Sequence, residues 1–288
     1  MDGIFVISSN TCFGTVKRWI AEEGSVNERL LRLKIKGCKH LRWMQTHDLV
    51  IDLLQSGTVC RVPNYPNWLT FPKFLDNKGE FASNQRYCDF FIKFGFYHEW
   101  MATSRYLGYY AEDLYVPEIE NLGYTIEKHK ILPVTNPSLL SNPLFQGIKH
   151  VEIDLYCTKG NVKLGFLIKN SISDVFISPN IKKPNDVVQR LIRQTLYCSK
   201  NGVFPIFIAP FVEKSFKPFI TAHYGLYCQT LLQYFDPDNQ DLCDEVRRWL
   251  NFNNIRVVTQ VTPHISRWIS GMPSLWNERY SALTGITI

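Results

Sequence analysis

Two neighbouring stretches in the middle of the chain alternate apolar and polar residues. The first covers residues 150–157 and the second covers residues 163–169. The apolar positions are Val151, Ile153, Leu155, Leu164, Phe166 and Ile168. Such alternation is typical of strands that bury one face. Gly160-Asn161 lies between the two stretches and favours a tight turn. The sequence therefore predicts a β-hairpin with one face on the core.

Helices and strands are predicted to alternate on both sides of this hairpin. A helix over residues 105–122 is expected to end at Gly123, with a kink or restart at Pro117. The other predicted segments are a strand at 124–132, a helix from its cap at Asn185 to residue 200, a buried strand at 203–209, a strand at 224–235, a helix after Asp236-Pro237-Asp238 and a strand at 255–261. This succession indicates an α/β domain over residues 104–288.

The first hundred residues follow a different pattern. The predicted elements are a short strand at 4–8 and helices at 13–23, 26–42 and 46–56. Residues 61–100 are rich in proline and aromatic side chains, which favours irregular but packed structure. Residues 1–103 are therefore expected to form a smaller, mainly helical N-terminal accessory domain. Residues 4–23 are also compatible with a small sensor domain, and residues 45–57 with a helix-turn-helix element.

Composition narrows the class of protein. Of the 288 residues, 45% are hydrophobic and 20% are charged, as in soluble globular proteins. The apolar runs are far shorter than the roughly 20 residues of a membrane span, and no signal peptide is recognisable. A cytoplasmic protein without membrane contact is expected. The eight cysteines form no CxxC pair, which favours reduced, mostly buried thiols over a structural zinc site.

Positive charge is concentrated in residues 29–42, within a chain of net charge +6. The basic residues of this run are Arg29, Arg32, Lys34, Lys36, Lys39 and Arg42. No acidic residue occurs between Glu28 and Asp48. Such a run is either a solvated helix face or a surface that contacts nucleic-acid phosphates. In the second case, charge reversal within it should weaken DNA binding and flatten its salt dependence.

The hairpin also brings two chemically suggestive residues together. If the apolar positions of 150–157 face the core, Asp154 points to the other side of the sheet. Leu167 and Lys169 share one face of the next strand, within reach across the ladder. Mg²⁺ prefers hard oxygen ligands, and a nearby lysine can stabilise charge on a phosphate. The pair predicts a magnesium-dependent phosphodiesterase site, with a structural salt bridge between Asp154 and Lys169 as the alternative.

Five segments carry an ordered set of motifs. They are the helix 108–124, the strand 152–155 (EIDL), the segment 166–170 (FLIKN), the helix 194–202 and the strand 205–210. In this order they resemble the PD-(D/E)XK, or restriction-endonuclease-like, superfamily, in particular its Mrr-like and Holliday-junction-resolvase-like branches. The resemblance implies a mixed sheet flanked by helices, and a nuclease site that uses Mg²⁺ when active.

The resemblance also assigns residues to roles. Catalytic roles fall on Asp154, Lys169, Glu112 and Gln194, and metal-ligating roles on Asp154, Glu152 and the main-chain carbonyl of Ile168. One position departs from the family pattern, because Leu167 stands where an acid should precede Lys169. A leucine offers no oxygen to a metal. The resemblance therefore implies a degenerate site, unless Glu152, Gln189 or Gln194 supplies the missing ligand. Without the resemblance, Glu112 is an ordinary solvated acid.

Two functions follow as expectations. The first is a catalytically dead, nuclease-derived domain that binds DNA, or serves as a structural partner, in a defence, transposition or recombination complex. The second is an active Mg²⁺-dependent DNA endonuclease with a relocated acid. Further protein partners and a homodimer are compatible with both. The sequence contains no GxGxxG, GxxxxGK[ST], HExxH or GxSxG motif that would favour another chemistry.

Overall fold

The computed structural model describes residues 9–37, 46–171, 186–212 and 216–285. The predicted strand at 4–8 and the basic residues Lys39 and Arg42 lie outside the described residues, as does the side chain of Lys36. None of the described helices is long and apolar enough to cross a membrane.

Contacts between Cα atoms divide the chain into two compact units. Unit 1 contains residues 1–102 and 241–254, and unit 2 contains residues 103–240 and 255–288. The division of the sequence into 1–103 and 104–288 places residues 241–254 in the second domain, whereas the contacts place them in unit 1. The ring of Phe252 illustrates the reason, because its centroid lies 5.5 Å from that of Trp100.

Unit 2 is built on a mixed five-stranded sheet. Its elements are α4 (Asn84–Glu120, from residue 103), β4 (Thr125–Pro133), α5 (Pro137–Leu140), β5 (His150–Lys159), β6 (Val162–Ile168), α6 (Asp186–Lys200), β7 (Phe204–Ala209), α7 (Phe216–Ala222), β8 (Leu226–Gln229), β9 (Gln233–Phe235), β10 (Ile255–Val257) and α9 (Pro263–Thr284). The strand order is β4-β5-β6-β7-β8, and β9 pairs with β10 separately. Strands β4 to β6 are antiparallel, whereas β7 and β8 continue the sheet in parallel. The predicted α/β class, hairpin and mixed sheet are confirmed.

The central strands are buried on both faces, so the prediction of a half-buried hairpin is wrong. One core, the α6-side core, contains Ile153 and Leu167 together with residues of α6. The other, the α9-side core, contains Leu155 and Phe166 together with residues of α9. Ile153 and Leu155 therefore face opposite sides, and the alternation breaks at the residue between them. Helices cover both faces of the sheet, and such strands lose the polar face that alternation requires.

The α6-side core needs a glycine in the hairpin. A Cβ atom on Gly165 would lie 2.8 Å from the Sγ atom of Cys198 and 3.4 Å from Ile153. The absence of a side chain lets helix α6 approach strand β6 closely. Cys198 is one of six cysteines that the structure describes with free thiols, four of which are buried, as the sequence predicts.

Unit 1 combines helices with a small antiparallel sheet. Its elements are α1 (Ser9–Glu23), β1 (Ser25–Asn27), α2 (Glu28–Gly37), α3 (Thr46–Gln55), β2 (Cys60–Val62), β3 (Tyr65–Thr70), α4 up to residue 102, and α8 (Gln240–Leu250, from residue 241). The sheet order is β1-β3-β2. Trp68 of β3 and Phe90 of α4 make an edge-to-face contact with centroids 5.4 Å apart.

Several parts of the chain differ from their predictions. Residues 61–100 were expected to be irregular, but they contain β2, β3 and the start of α4, which passes through Pro117 rather than restarting there. The proline-rich signal ends at residue 72, and the aromatic residues beyond it pack from a helix. The predicted strand 224–235 is divided into β8 and β9, with Leu231 between them at a positive φ of 62°. Helix α9 was not predicted.

Candidate functional site

The site lies where strands β5 and β6 stop pairing. The pair at this end of the two strands is Leu155 with Phe166. Asp154, which precedes Leu155 in β5, has no residue of β6 paired with it. The Oδ2 atom of Asp154 accepts a hydrogen bond of 2.7 Å from the main-chain N–H of Ile168. The carboxylate therefore takes the place of a strand partner for that amide, and its position is fixed by the main chain of β6.

Two cations lie against the same carboxylate. The Nζ atom of Lys169 is 3.4 Å from Oδ2 of Asp154, and a terminal guanidinium nitrogen of Arg190 is 3.6 Å from Oδ1. The side chains of Asp154 and Lys169 are 1% and 8% exposed, whereas that of Arg190 is half exposed. Sequence reasoning paired Asp154 with Lys169 but missed Arg190. Its signal was the spacing of four residues from Gln194, which places both on one face of α6.

A histidine joins the two glutamates of the site. The Nδ1 atom of His129 lies 3.1 Å from Oε1 of Glu152, and its Nε2 atom lies 3.2 Å from Oε2 of Glu112. His129 falls in the β4–β5 register between the pairs that flank Asp154, and its φ of 50° is in the left-handed region. Such a φ is unusual for a residue with a side chain, and strain of this kind is concentrated at functional sites. Sequence reasoning missed His129, and nothing in the sequence pattern indicates its role.

The carboxyl group of Glu112 lies in an unfavourable environment for a charge. Burial, followed by the proximity of Asp154, raises the pKa of Glu112 to about 8. Its Oε2 atom is buried and accepts no hydrogen bond, even though the Nε2 atom of His129 is 3.2 Å away. The alternative interpretation of Glu112 as an ordinary solvated acid is therefore wrong, since this residue is only 6% exposed.

These side chains line a single cavity of about 340 Å³. Its lining residues are Ser104, Arg105, Gly108, Tyr109, Glu112, His129, Glu152, Asp154, Ile168, Lys169, Asn170, Ser171 and Arg190. Most of the residues proposed from the sequence are therefore brought together: Glu112, Glu152, Asp154, Ile168 and Lys169. Helix α4, strands β4, β5 and β6 and helix α6 all contribute to the cavity.

Gln194 and Leu167 do not line the cavity. The Nε2 atom of Gln194 donates a 2.7 Å hydrogen bond to the main-chain carbonyl of Glu152, so this glutamine holds strand β5 from behind. Gln189, the other glutamine considered as a ligand, accepts from Arg193 on its own helix. Leu167 is 1% exposed and belongs to the α6-side core.

Asn170 fixes the end of strand β6. Its side-chain amide donates to the carbonyls of Leu107 and Tyr234, and its Oδ1 atom accepts from the N–H of Tyr234, each at 2.7 Å. One buried side chain thereby links β6 to helix α4 and strand β9. The segment that carries Lys169 is held in place by these three hydrogen bonds.

The donor set does not fit the magnesium ion that the resemblance implies. Asp154 is engaged by Ile168, Lys169 and Arg190, so a metal would have to displace two cations from its oxygens. Leu167 contributes no oxygen. Among the residues that the structure describes, no group of three His, Cys, Asp or Glu side chains is arranged to hold a metal ion. Mg²⁺ needs convergent oxygen ligands at about 2.1 Å, and here the carboxylates converge on cations and a histidine instead.

The basic run of unit 1 is partly neutralised. Lys34 pairs with Glu23, and both side chains are about nine-tenths buried. Arg32 pairs with Glu28, which also accepts from Arg61 at 2.9 Å. Arg29 is exposed. Among the basic side chains of α2 that the structure describes, Arg29 is therefore exposed, whereas Arg32 and Lys34 are paired.

No family model, curated protein or solved structure matches this chain.

Proposed function

We propose that unit 2 is a nuclease-derived domain of the restriction-endonuclease-like type that binds nucleic acid without cleaving it. The observation that carries this proposal is the convergence of Glu112, Asp154 and Lys169 on one cavity. Leu167, which stands at the position of the missing acid, lies in the α6-side core and not in this cavity. The three residues are separated by up to 57 positions of sequence, and the fold brings them to a single cavity.

The order of elements supports the same proposal. Helix α4 with Glu112 is followed by the antiparallel strands β4, β5 and β6, then by helix α6 and the parallel strand β7. This is the order in which the resemblance places the first helix, the edge strand, the hairpin with its aspartate and lysine, the following helix and the fourth core strand. Fold order alone does not establish an activity, so the proposal rests on the site.

The surroundings of Asp154 support the proposed loss of cleavage. In a metal-dependent nuclease the aspartate must offer its oxygens to a cation that activates water and neutralises the phosphate. Here those oxygens face Ile168, Lys169 and Arg190. A second carboxylate at position 167 would be needed to compensate, and Leu167 is buried among apolar side chains.

An active endonuclease is the second candidate, and one observation favours it. Glu112 and Glu152 line the same cavity as Asp154, so three carboxyl groups lie within one site. For activity, Glu152 would have to leave His129 and Arg190 would have to leave Asp154 when a metal enters. This candidate therefore requires the site to rearrange, whereas the first does not.

A paired assay of binding and cleavage tests the proposal. Supercoiled plasmid and single-stranded DNA are incubated with the wild-type protein, with Asp154→Ala and with Lys169→Ala, in Mg²⁺ and in Mn²⁺, and binding is followed by fluorescence anisotropy. We expect DNA binding by the wild type and no cleavage with either ion. Cleavage that disappears in both variants would instead establish the active endonuclease, because a contaminating nuclease would cut in all three samples.

DNA is the partner that we propose, and the resemblance places such a domain in defence, transposition or recombination complexes. Exposed arginines in both units, Arg29 and Arg105, and the half-exposed Arg190 are suited to phosphate contacts. RNA of the same sequence is the natural comparison in the binding assay, since phosphate contacts alone do not distinguish the two.

A further inference from the structure

We propose that the cavity of unit 2 binds a phosphodiester group of nucleic acid directly through Lys169, Arg190 and Arg105, so that binding needs no divalent cation. This inference rests on the proposed function and extends it, because it names the chemical group bound and the residues that bind it. The side chains of the cavity do not suit Mg²⁺, but they leave three cations facing it.

Lys169 and Arg190 approach Asp154 from different elements and retain donors for a second anion. In the part of the chain that the structure describes, Asp154 is the acidic side chain with which each of them forms an ion pair. A lysine carries three N–H donors and an arginine five, so one carboxylate does not use them up. Asp154 therefore orients the two cations at the cavity wall without saturating them.

Arg105 supplies a third positive charge from helix α4. Two of its guanidinium nitrogens, Nε and a terminal one, lie 3.3 and 3.2 Å from the hydroxyl oxygen of Tyr109, which accepts from them. This contact leaves the other terminal nitrogen for a ligand. Arg105 is exposed, and Tyr109 is 42% exposed. Cations from α4, from the residue after β6 and from α6 thus line the cavity. A phosphodiester can accept hydrogen bonds from several such donors at once.

The acidic side chains of the cavity lie against groups of its own wall. Asp154 faces an amide and two cations, and Glu152 lies 3.1 Å from Nδ1 of His129. Glu112 lies beside Nε2 of the same ring, and its raised pKa of about 8 favours the uncharged form. The acids therefore serve to place cations and the histidine rather than to attract a metal. The volume of about 340 Å³ lies at the lower end of the range for ligand pockets, which suits one phosphate with its adjoining sugar atoms.

Arginine suits this role because its charge does not depend on a bound metal. The guanidinium group is planar, is always protonated and forms paired hydrogen bonds with phosphate oxygens. A divalent cation in a nuclease site neutralises the scissile phosphate, and Arg190 provides that neutralisation as part of the chain. It does not activate water, so the phosphodiester is held and not hydrolysed.

The test measures binding of a short fluorescein-labelled single-stranded DNA by anisotropy, at constant ionic strength, in EDTA and in Mg²⁺. The variants are Arg190→Gln, Arg190→Lys, Arg105→Gln and the control Arg267→Gln, whose exposed side chain lies on α9 outside the cavity. Circular dichroism melting checks that each variant is folded. Arg105 hydrogen-bonds to Tyr109 and forms no ion pair with Asp154 among the described residues, so its replacement tests phosphate binding without disturbing Asp154.

We expect wild-type affinity in EDTA to equal that in Mg²⁺. Arg190→Gln and Arg105→Gln should each weaken binding about five- to tenfold and lower the salt slope by about 0.7. Arg190→Lys should retain most of the affinity, and Arg267→Gln all of it. Binding that requires Mg²⁺, or Gln variants that bind like Arg267→Gln, would overturn this inference while leaving nucleic-acid binding intact. Absence of any binding by the wild type would overturn the proposed function itself.

Discussion

At the level of single residues, the partners of the Asp154 carboxylate distinguish a metal site from a site that presents cations. Sequence reasoning identified Asp154, Lys169 and Glu112 because they match an ordered set of motifs. It did not identify His129, because a histidine in a strand has no distinctive spacing, and it overlooked the spacing of four residues that places Arg190 on the same face of α6 as Gln194. Their importance comes from contacts made only after β4, β5 and α6 are packed together.

Leu167 provides the sharpest prediction at this scale. Leu167→Glu is the change that restores the family motif, but it would place a carboxylate in the α6-side core, where Leu167 is 1% exposed. Burial of an unpaired charge is costly. We expect the free energy of unfolding in urea to fall by about 2–4 kcal/mol, with no gain of DNA cleavage.

The control for this experiment is Leu167→Met, which keeps the apolar volume and should cost less than about 1.5 kcal/mol. Mg²⁺-dependent cleavage by a stably folded Leu167→Glu protein would contradict the placement of this side chain in the core.

Glu112 gives a prediction about pH. Its pKa is about 8 in the folded protein against an ordinary value of 4.5, so the folded state retains a proton that the unfolded state loses. Stability should therefore fall as pH rises from 4.5 through 8, by at most about 1.4 kcal/mol per pH unit. Glu112→Gln removes this dependence, so the variant should be more stable than the wild type at high pH.

Urea unfolding near pH 5 and near pH 9 measures the effect. The neighbouring Asp113→Asn is the matched control, because Asp113 is 58% exposed and pairs with Lys128 at the surface. If Glu112→Gln and the wild type differ equally at both pH values, the buried carboxyl group does not carry the proton.

At the level of elements, the sequence predicted helices and strands with a regular hydrophobic period well, but it did not predict where that period breaks. The hairpin, helix α6 and strand β7 follow from period and from turn residues, which are local properties. The break in alternation at Asp154, which puts Ile153 and Leu155 on opposite faces, does not follow from such local properties. It coincides with the left-handed backbone of His129 on the partner strand. The predicted start of helix α4, residue 105, was too late. The aromatic residues at the start of this helix pack on β3, and such a tertiary contact leaves no periodic signal in the sequence.

Gly165 tests how closely two elements pack. Gly165→Ala would bring a Cβ atom to 2.8 Å from Sγ of Cys198, so α6 would have to move away from β6. We expect a loss of about 1–3 kcal/mol in urea unfolding. The double variant with Cys198→Ala should recover part of that loss, since it removes the colliding atom. Simple additivity of the two changes would show that the contact is not the cause.

At the level of the whole molecule, both units are expected to contribute to nucleic-acid binding, but through different residues than the charge run alone suggested. The sequence grouped six basic residues as one surface. The structure divides those it describes, because Lys34 is buried against Glu23 whereas Arg29 is exposed. Charge patterns reveal where cations are concentrated, and only packing reveals which of them are already neutralised.

This division yields a prediction that separates binding from folding. Arg29→Gln should weaken DNA binding about threefold or more and lower the salt slope by about 0.7–0.9, with an unchanged melting temperature. Lys34→Met should instead cost about 1–3 kcal/mol of stability, because it leaves Glu23 buried without its partner. Arg18→Gln is the matched control, since Arg18 is 67% exposed and lies outside the run. Anisotropy titrations over a range of salt, together with thermal melts, measure both effects. Equal loss of affinity in the Arg29 and Arg18 variants would show that α2 attracts DNA only through net charge, and that unit 1 contributes no specific phosphate contact.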